Sequence, residues 1–303
     1  MLEGFSIRYR RLLSGAADGI PAWTPLVAAG DDTGLFGPTD AAWVVHGDIA
    51  TMIGGVRALI MQALHPGCLA GVVQHSRYEE DVLGRLSGTI RWLTIATFGS
   101  REAIAAESER VRQMHAQVRG KYHDADGERR QYRADDPRLL LWVHLAFTDS
   151  FRETHHRYGD QPINEDEYVR QWAEAVVPLG LADAPRSAAA LATTMDGFAQ
   201  ELRVDDTTRR VVDFVRRAPL PRAARPVYRL LWWAAVDSLP DAVRAELRLR
   251  RPPAALTRAL TRLLLGGMRW ALGSHSPLEA AALDRHRRLA DDSDRADGTR
   301  LAG

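Results

Sequence analysis

The chain has 303 residues, 46% apolar and 26% charged, with a net charge of +1. That is ordinary globular composition, and a charge so near zero argues against a global field for nucleic acid or an acidic surface. Cys68 is the only cysteine, which excludes an internal disulfide, a zinc–cysteine site and a covalent CxxCH haem attachment. Lys121 is the only lysine, so the basic residues are almost all arginine and single arginines carry little functional weight.

The N-terminus has a twin arginine (Arg10, Arg11) without an apolar stretch behind it, which argues against a secretory signal. No uninterrupted run of about 18 apolar residues occurs, so no membrane span is expected, and the expectation is a soluble cytoplasmic protein. Residues 1–40 are punctuated by Gly and Pro and read as a short helix followed by an extended wrapping arm. From Asp40 onward the periodicity is helical almost throughout, without sustained period-2 alternation. The first helix runs from a Thr39/Asp40 cap to Leu64, with a bend at Gly54-Gly55. Others cover about 67–75, 80–98 and 100–119, the last closed by Gly120. Residues 121–136 read as a charged loop, and Asp136-Pro137 opens a helix to Tyr158. Further helices begin near 164, 185, 207, 225, 240 and 253. Residues 248–272 read as a basic amphipathic helix with a solvated arginine face over a packed leucine face, rather than a membrane or nucleic-acid contact. A short helix follows Pro277, then a mobile tail from 291. The result is a single large all-α helical domain over 41–290, between the 1–40 arm and the 291–303 tail.

Four polar signals lie between residues 65 and 144. His65 and His75 stand at two successive helix ends, where a helix dipole alone would explain a histidine. Arg85 and Thr89 share a face of an apolar helix; Arg85 pairs either with Asp81 or with a ligand carboxylate. His115 continues the stripe Ile104, Ser108, Val111, His115, Val118, and is either a satisfied core residue or a ligand. Arg112 and Arg119 flank that stripe on the same helix. His144 is embedded in LLLWVHLAF and lines up with Thr148, Phe151 and His155; a backbone-bonded core role and a functional one are equally open. HExxH, repeated ExxH, GxSxG and GxGxxG patterns are absent, which argues against a di-iron bundle and against the nucleophile-elbow and dinucleotide sites.

Taken in order, RALIMQALHPG (57–67), QHSRY (74–78), RLSGT (85–89), FGS (98–100), MHAQVRG (114–120), YRADDPRLLLWVHLAFTDSF (132–151) and APLP (218–221) resemble the MpaB / rubber-oxygenase (latex-clearing protein) catalytic-domain family over roughly residues 40–250. The resemblance implies a globin-like helical core around non-covalent haem b. It implies His115 as the axial iron ligand in H-x-x-V-x-G, and Arg85 and Thr89 as the R-x-x-x-T pair beside the haem. Latex-clearing proteins carry a lysine just before that threonine where this chain has Gly88, and their catalytic carboxylate has no counterpart near Leu69, so rubber cleavage is not implied. His75 is then the expected catalytic polar group on an open distal face. His65, His144 and Arg119 are further candidates for the cofactor pocket. The function expected is a haem-dependent oxygenase or oxidase taking a small to medium hydrophobic substrate with O2 or peroxide, with or without a redox partner. A haem peroxidase or dehydrogenase, a haem sensor or carrier, and a cofactor-free helical interaction module are the alternatives.

Overall fold

The computed structural model describes the backbone of residues 19–75, 82–273 and 275–301, and the side chains of 19–74, 88–273 and 275–295. Fourteen α-helices dominate the described residues: α1 (Thr24–Ala28), α2 (Ala41–Gly47), α3 (Thr51–Gln62), α4 (Pro66–His75), α5 (Val82–Phe98), α6 (Arg101–Gln117), α7 (Pro137–Tyr158), α8 (Glu165–Val176), α9 (Ala188–Asp196), α10 (Asp206–Arg216), α11 (Arg225–Ser238), α12 (Asp241–Glu246), α13 (Ala254–Leu272) and α14 (Pro277–Leu301). The expected helical architecture is therefore the observed one. Two strands, β1 (Arg119–His123) and β2 (Arg129–Arg133), interrupt it as an antiparallel hairpin.

The centre of the molecule is the seam between α3 and α7, the most extensive helix–helix contact. Gly54 is what lets these helices approach: a Cβ there would lie 2.5 Å from the Phe151 ring. The bend expected at Gly54-Gly55 falls earlier. The chain breaks by 93° between α2 and α3, at Asp48, whose carboxylate accepts from Ala50 N–H and holds Arg269. Arg57, 2% exposed, crosses the seam to Asp149 at 2.7 Å and donates to Ser150 Oγ at 2.8 Å. Around this pair pack Ile53, Ile60, Leu145, Phe151 and Trp142, all buried.

The helix caps follow the sequence. Ser100 accepts from Ala103 N–H, Asp136 from Arg138 N–H, Asn164 from Glu167 N–H, and Asp205 forms a capping box with Thr208. The charged segment after α6 is the β-hairpin rather than a loop. Its strands are mostly exposed and polar, so the apolar alternation that signals a strand is missing; only Tyr132 is buried, and Gly127 at φ +86° makes the turn possible. The expected tail is instead the continuation of α14 to Leu301. Of the N-terminal arm, residues 19–40 are described; they lie on α14 and α5, with Trp23 Nε1 donating to Thr94 Oγ1 at 2.9 Å.

Helix α13 corrects the expected packed leucine face. Leu265 and Met268 are buried, but Leu256, Leu260, Leu263 and Trp270 are exposed. Among the described residues no single helix is long and apolar enough to cross a membrane; the bent α2–α3 pair that passes by composition contributes Trp43, Ile53 and Ile60 to the core.

Candidate functional site

Helices α5 and α6 form an antiparallel hairpin joined at Gly99-Ser100. Its pairing is fixed by a polar clasp. Glu107, 3% exposed, accepts from Arg91 Nε at 2.9 Å and is clamped by Arg110, while Trp92 Nε1 approaches Ser108 Oγ at 3.5 Å. Burial pushes the Glu107 carboxyl up, but the bonds from Arg110 and Arg91 outweigh it and hold the group below the usual carboxylate range.

On α6 the expected stripe is present at Ile104, Ser108 and Val111, which are buried, and then opens: His115 and Val118 are half-buried. His115 sits in the last turn, where the helix dipole favours a cationic ring, and its carbonyl accepts from Val118 N–H at 3.0 Å. The helix ends at Gln117, so Gly120 is not its C′ residue and Arg119 is not on the His115 helix. Both belong to β1. Gly120 has a different reason to be glycine. A Cβ there would lie 2.4 Å from Gln74 Oε1 and 2.6 Å from the Tyr132 ring, because α4 packs directly on the hairpin and Gln74 Nε2 donates to Lys121 O at 2.6 Å. Beside this contact is an open hollow of about 600 Å³, lined by Gln74, Arg119, Lys121, Gln131, Tyr132 and Arg133. Its rim is basic.

The apolar walls at this end are only partly covered. Every residue from Gly88 to Thr94 on α5 is half-buried, as are Val72 and Val73 on α4, although Ile90, Trp92 and Leu93 are large apolar side chains. Thr89 lies on this stretch, and a Cβ at Gly88 would touch nothing among the described residues. The side chains of His75 and Arg85, and the whole of Asp81, lie outside the described residues. The backbone of His75 is the last residue of α4 and that of Arg85 lies in the first turn of α5; because α5 runs antiparallel to α6, that turn lies toward the His115 end of the hairpin.

His65 and His144 lie deeper. His65 Nδ1 accepts from Gly67 N–H at 3.1 Å, so Nε2 carries the proton and faces the Glu201 carboxylate at 3.5 Å. Its ring lies among Tyr122, Trp142 and Phe198, and burial lowers its pKa despite Glu201. His144 is 5% exposed; the Thr148 hydroxyl lies 3.4 Å from Nε2, and among the described residues Nδ1 has no hydrogen-bond partner. Burial pushes this ring down to about 4, so it is neutral at ordinary pH. The line His144, Thr148, Phe151, His155 is buried throughout.

Sequence reasoning missed Glu107 and His46. Glu107 sits one residue before the stripe and reads as a solvated charge. His46 lies on α2 against Trp172 and Phe151, with Tyr168 Oη 3.3 Å from Nε2; burial, and then His155, push it down to about 3. Its signal was the apolar run AAWVVHG, in which a histidine three residues after Trp43 shares the inward face.

No curated protein and no solved structure matches the chain. A family model does, across the helical body that holds both the α3–α7 seam and the α4–α6 corner: with residues 43–292 matched, the chain belongs to the family described as "ER-bound oxygenase mpaB/B'/Rubber oxygenase, catalytic domain".

Proposed function

We propose that this oxygenase-family chain binds haem b non-covalently at the corner of α4, α5 and α6, where His115 would hold the iron, and oxidises a small to medium hydrophobic molecule using dioxygen or peroxide. The observation that carries the reading is the half-covered apolar wall of α5 at the same end of the molecule as the half-buried His115.

The residues fit such a group in their chemistry. An imidazole that is neither sealed in the core nor fully solvated suits an axial ligand. Ile90, Leu93, Val72 and Val73 would offer an apolar surface to a macrocycle, and Arg119 and Lys121 would offer cations to its carboxylates. Bound there, haem would supply activation of the oxidant and the electron transfer. The chain would supply the rest. Arg85 would pair with the anionic edge, and the Thr89 hydroxyl would hydrogen-bond within the pocket wall. His75 would take up and release a proton at its imidazole. The apolar lining would exclude water and select an apolar substrate. A globin-like arrangement of helices about the cofactor belongs to this proposal.

His144 supports a second assignment of the ligand, because its Nδ1 is buried without a partner among the described residues. The test is an optical spectrum of protein purified after expression with haem supply, ferric, reduced and with carbon monoxide. A Soret band is expected in the wild type, and its loss in His115→Ala with helical circular dichroism retained. Retention of the full spectrum in His115→Ala moves the ligand to His144, and His144→Ala then decides it. A wild type that neither carries nor takes up haem ends the proposal. Oxygen uptake with substrate turnover separates an oxygenase from a peroxidase, a dehydrogenase or a carrier.

A further inference from the structure

Helix α13 carries an apolar stripe that no described residue covers. Leu256, Leu260, Leu263, Gly267 and Trp270 follow i, i+4, i+7, i+11 and i+14, so they form one narrow line along the helix. Leu263 is 75% and Trp270 73% exposed. The opposite side of the same helix is anchored in the core through Thr257, Thr261, Leu265 and Met268. The stripe is therefore presented by a fixed helix. Helix α11 packs against α13 and has its own exposed line, Arg225, Arg229 and Trp233, with the Arg229 guanidinium over the Trp233 ring. Contiguous exposed apolar surface of this kind marks an interaction site in a soluble domain.

The charge around it identifies the partner. Over the whole chain acids and bases nearly cancel, yet residues 214–236 and 247–278 contain no Asp or Glu. They contain Arg216, Arg217, Arg222, Arg225 and Arg229 in the first stretch and Arg248, Arg250, Arg251, Arg258, Arg262 and Arg269 in the second. Arg258 and Arg269 are turned to core carboxylates, Asp237 and Asp48. Arg222, Arg225 and Arg229, and Arg248, Arg250 and Arg251 before α13, are exposed. A second copy of this face would bring arginines against arginines.

We infer that the α11–α13 face is a docking surface for an anionic lipid bilayer. Leu256, Leu260 and Leu263 enter the boundary between headgroups and acyl chains, Trp233 and Trp270 sit at headgroup level, and the exposed arginines meet lipid phosphates. The helix lies in the plane of the surface and does not span it.

The experiment is co-sedimentation of the full chain with vesicles of phosphatidylcholine alone and of phosphatidylcholine mixed with phosphatidylserine. Binding at least about tenfold tighter to the mixed vesicles is expected, with a blue shift of tryptophan emission and a loss of preference at high salt. Leu263→Asp is expected to weaken that binding about tenfold or more. Its side chain is exposed, so its thermal melt should match the wild type. Arg225→Glu/Arg229→Glu should remove the preference for phosphatidylserine and leave the melt unchanged. Equal affinity for the two vesicles, wild-type binding by Leu263→Asp, or no binding at all would overturn the inference. A concentration-dependent dimer dispersed by Leu263→Asp, with no lipid preference, would assign the face to a second copy instead.

Discussion

Two apolar helices, α3 and α5, have different fates. Helix α3 is clasped along its length by α7: Gly54 admits the Phe151 ring, Ile53 and Ile60 are fully buried, and even Arg57 is sealed in with Asp149. The middle of α5, from Gly88 to Thr94, is half-buried throughout, as are Val72 and Val73 on α4 and His115 and Val118 at the end of α6. A closed seam is what stability requires. Apolar surface held half open beside a histidine costs stability and is kept where a ligand will cover it. The comparison says that mutations in the seam should act on folding and mutations in the corner on function.

Asp149→Asn should have the largest effect. It leaves the Arg57 guanidinium buried without its counter-charge, which costs about 3–5 kcal/mol. Chemical denaturation should show a midpoint shift of that size; a shift below about 1 kcal/mol would mean that water already reaches the seam. Acid should probe the same interior next. His144 and His46 are held neutral by burial, down to about 4 and about 3, whereas in the unfolded chain they titrate near 6.5. Between these values the unfolded chain takes up protons that the folded one refuses, so stability falls as pH drops from about 6.5 towards 4. The Asp149 carboxyl, pushed up by burial but held lower by Arg57 and Arg152, adds a further loss below about 4, its unfolded value. Each ring contributes up to about 3 kcal/mol of decline across the upper window, and His144→Leu should remove its share. Gly54→Ala comes third: its Cβ would collide with Phe151, at a cost of about 1–3 kcal/mol. Compared as haem-free proteins, His115→Ala should change stability least, by about 0.5 kcal/mol or less, since the ring is half-buried at a helix end. If it instead destabilises as much as Gly54→Ala, the corner is structural and the contrast fails.

The sequence was most legible where local rules decide the outcome. Ser100, Asp136-Pro137 and Asn164 announce helix starts through their own side chains, and each start was read within a residue or two. It was least legible where a distant element decides. Gly54 and Gly120 read as a bend and a helix end, but both are glycines because an aromatic ring from another element stands against them. The hairpin escaped because a two-stranded ribbon docked by one tyrosine needs no alternating pattern. In the site, the stripe up to Val111 could be read from spacing alone. Glu107 could not, because two arginines from different turns make its burial tolerable, and one of them comes from α5. The exposed leucines of α13 look in sequence like any packed face; only the absence of acids around them was there to be seen.

Arg285 holds a lesson about the order of synthesis. It is fully buried in α14, donating to the carbonyl oxygens of Val27, Thr33 and Phe98. The arm and the end of α5 leave the ribosome early, but the guanidinium that ties them together is made 258 residues after Val27 and 187 after Phe98. Helices α5 and α6 can pair as soon as both have emerged, while the arm must wait, loosely placed, until α14 arrives. A nascent chain halted before residue 285 should therefore show a protease-sensitive arm on an already helical body, and release of the complete chain should close the clasp in a single late step.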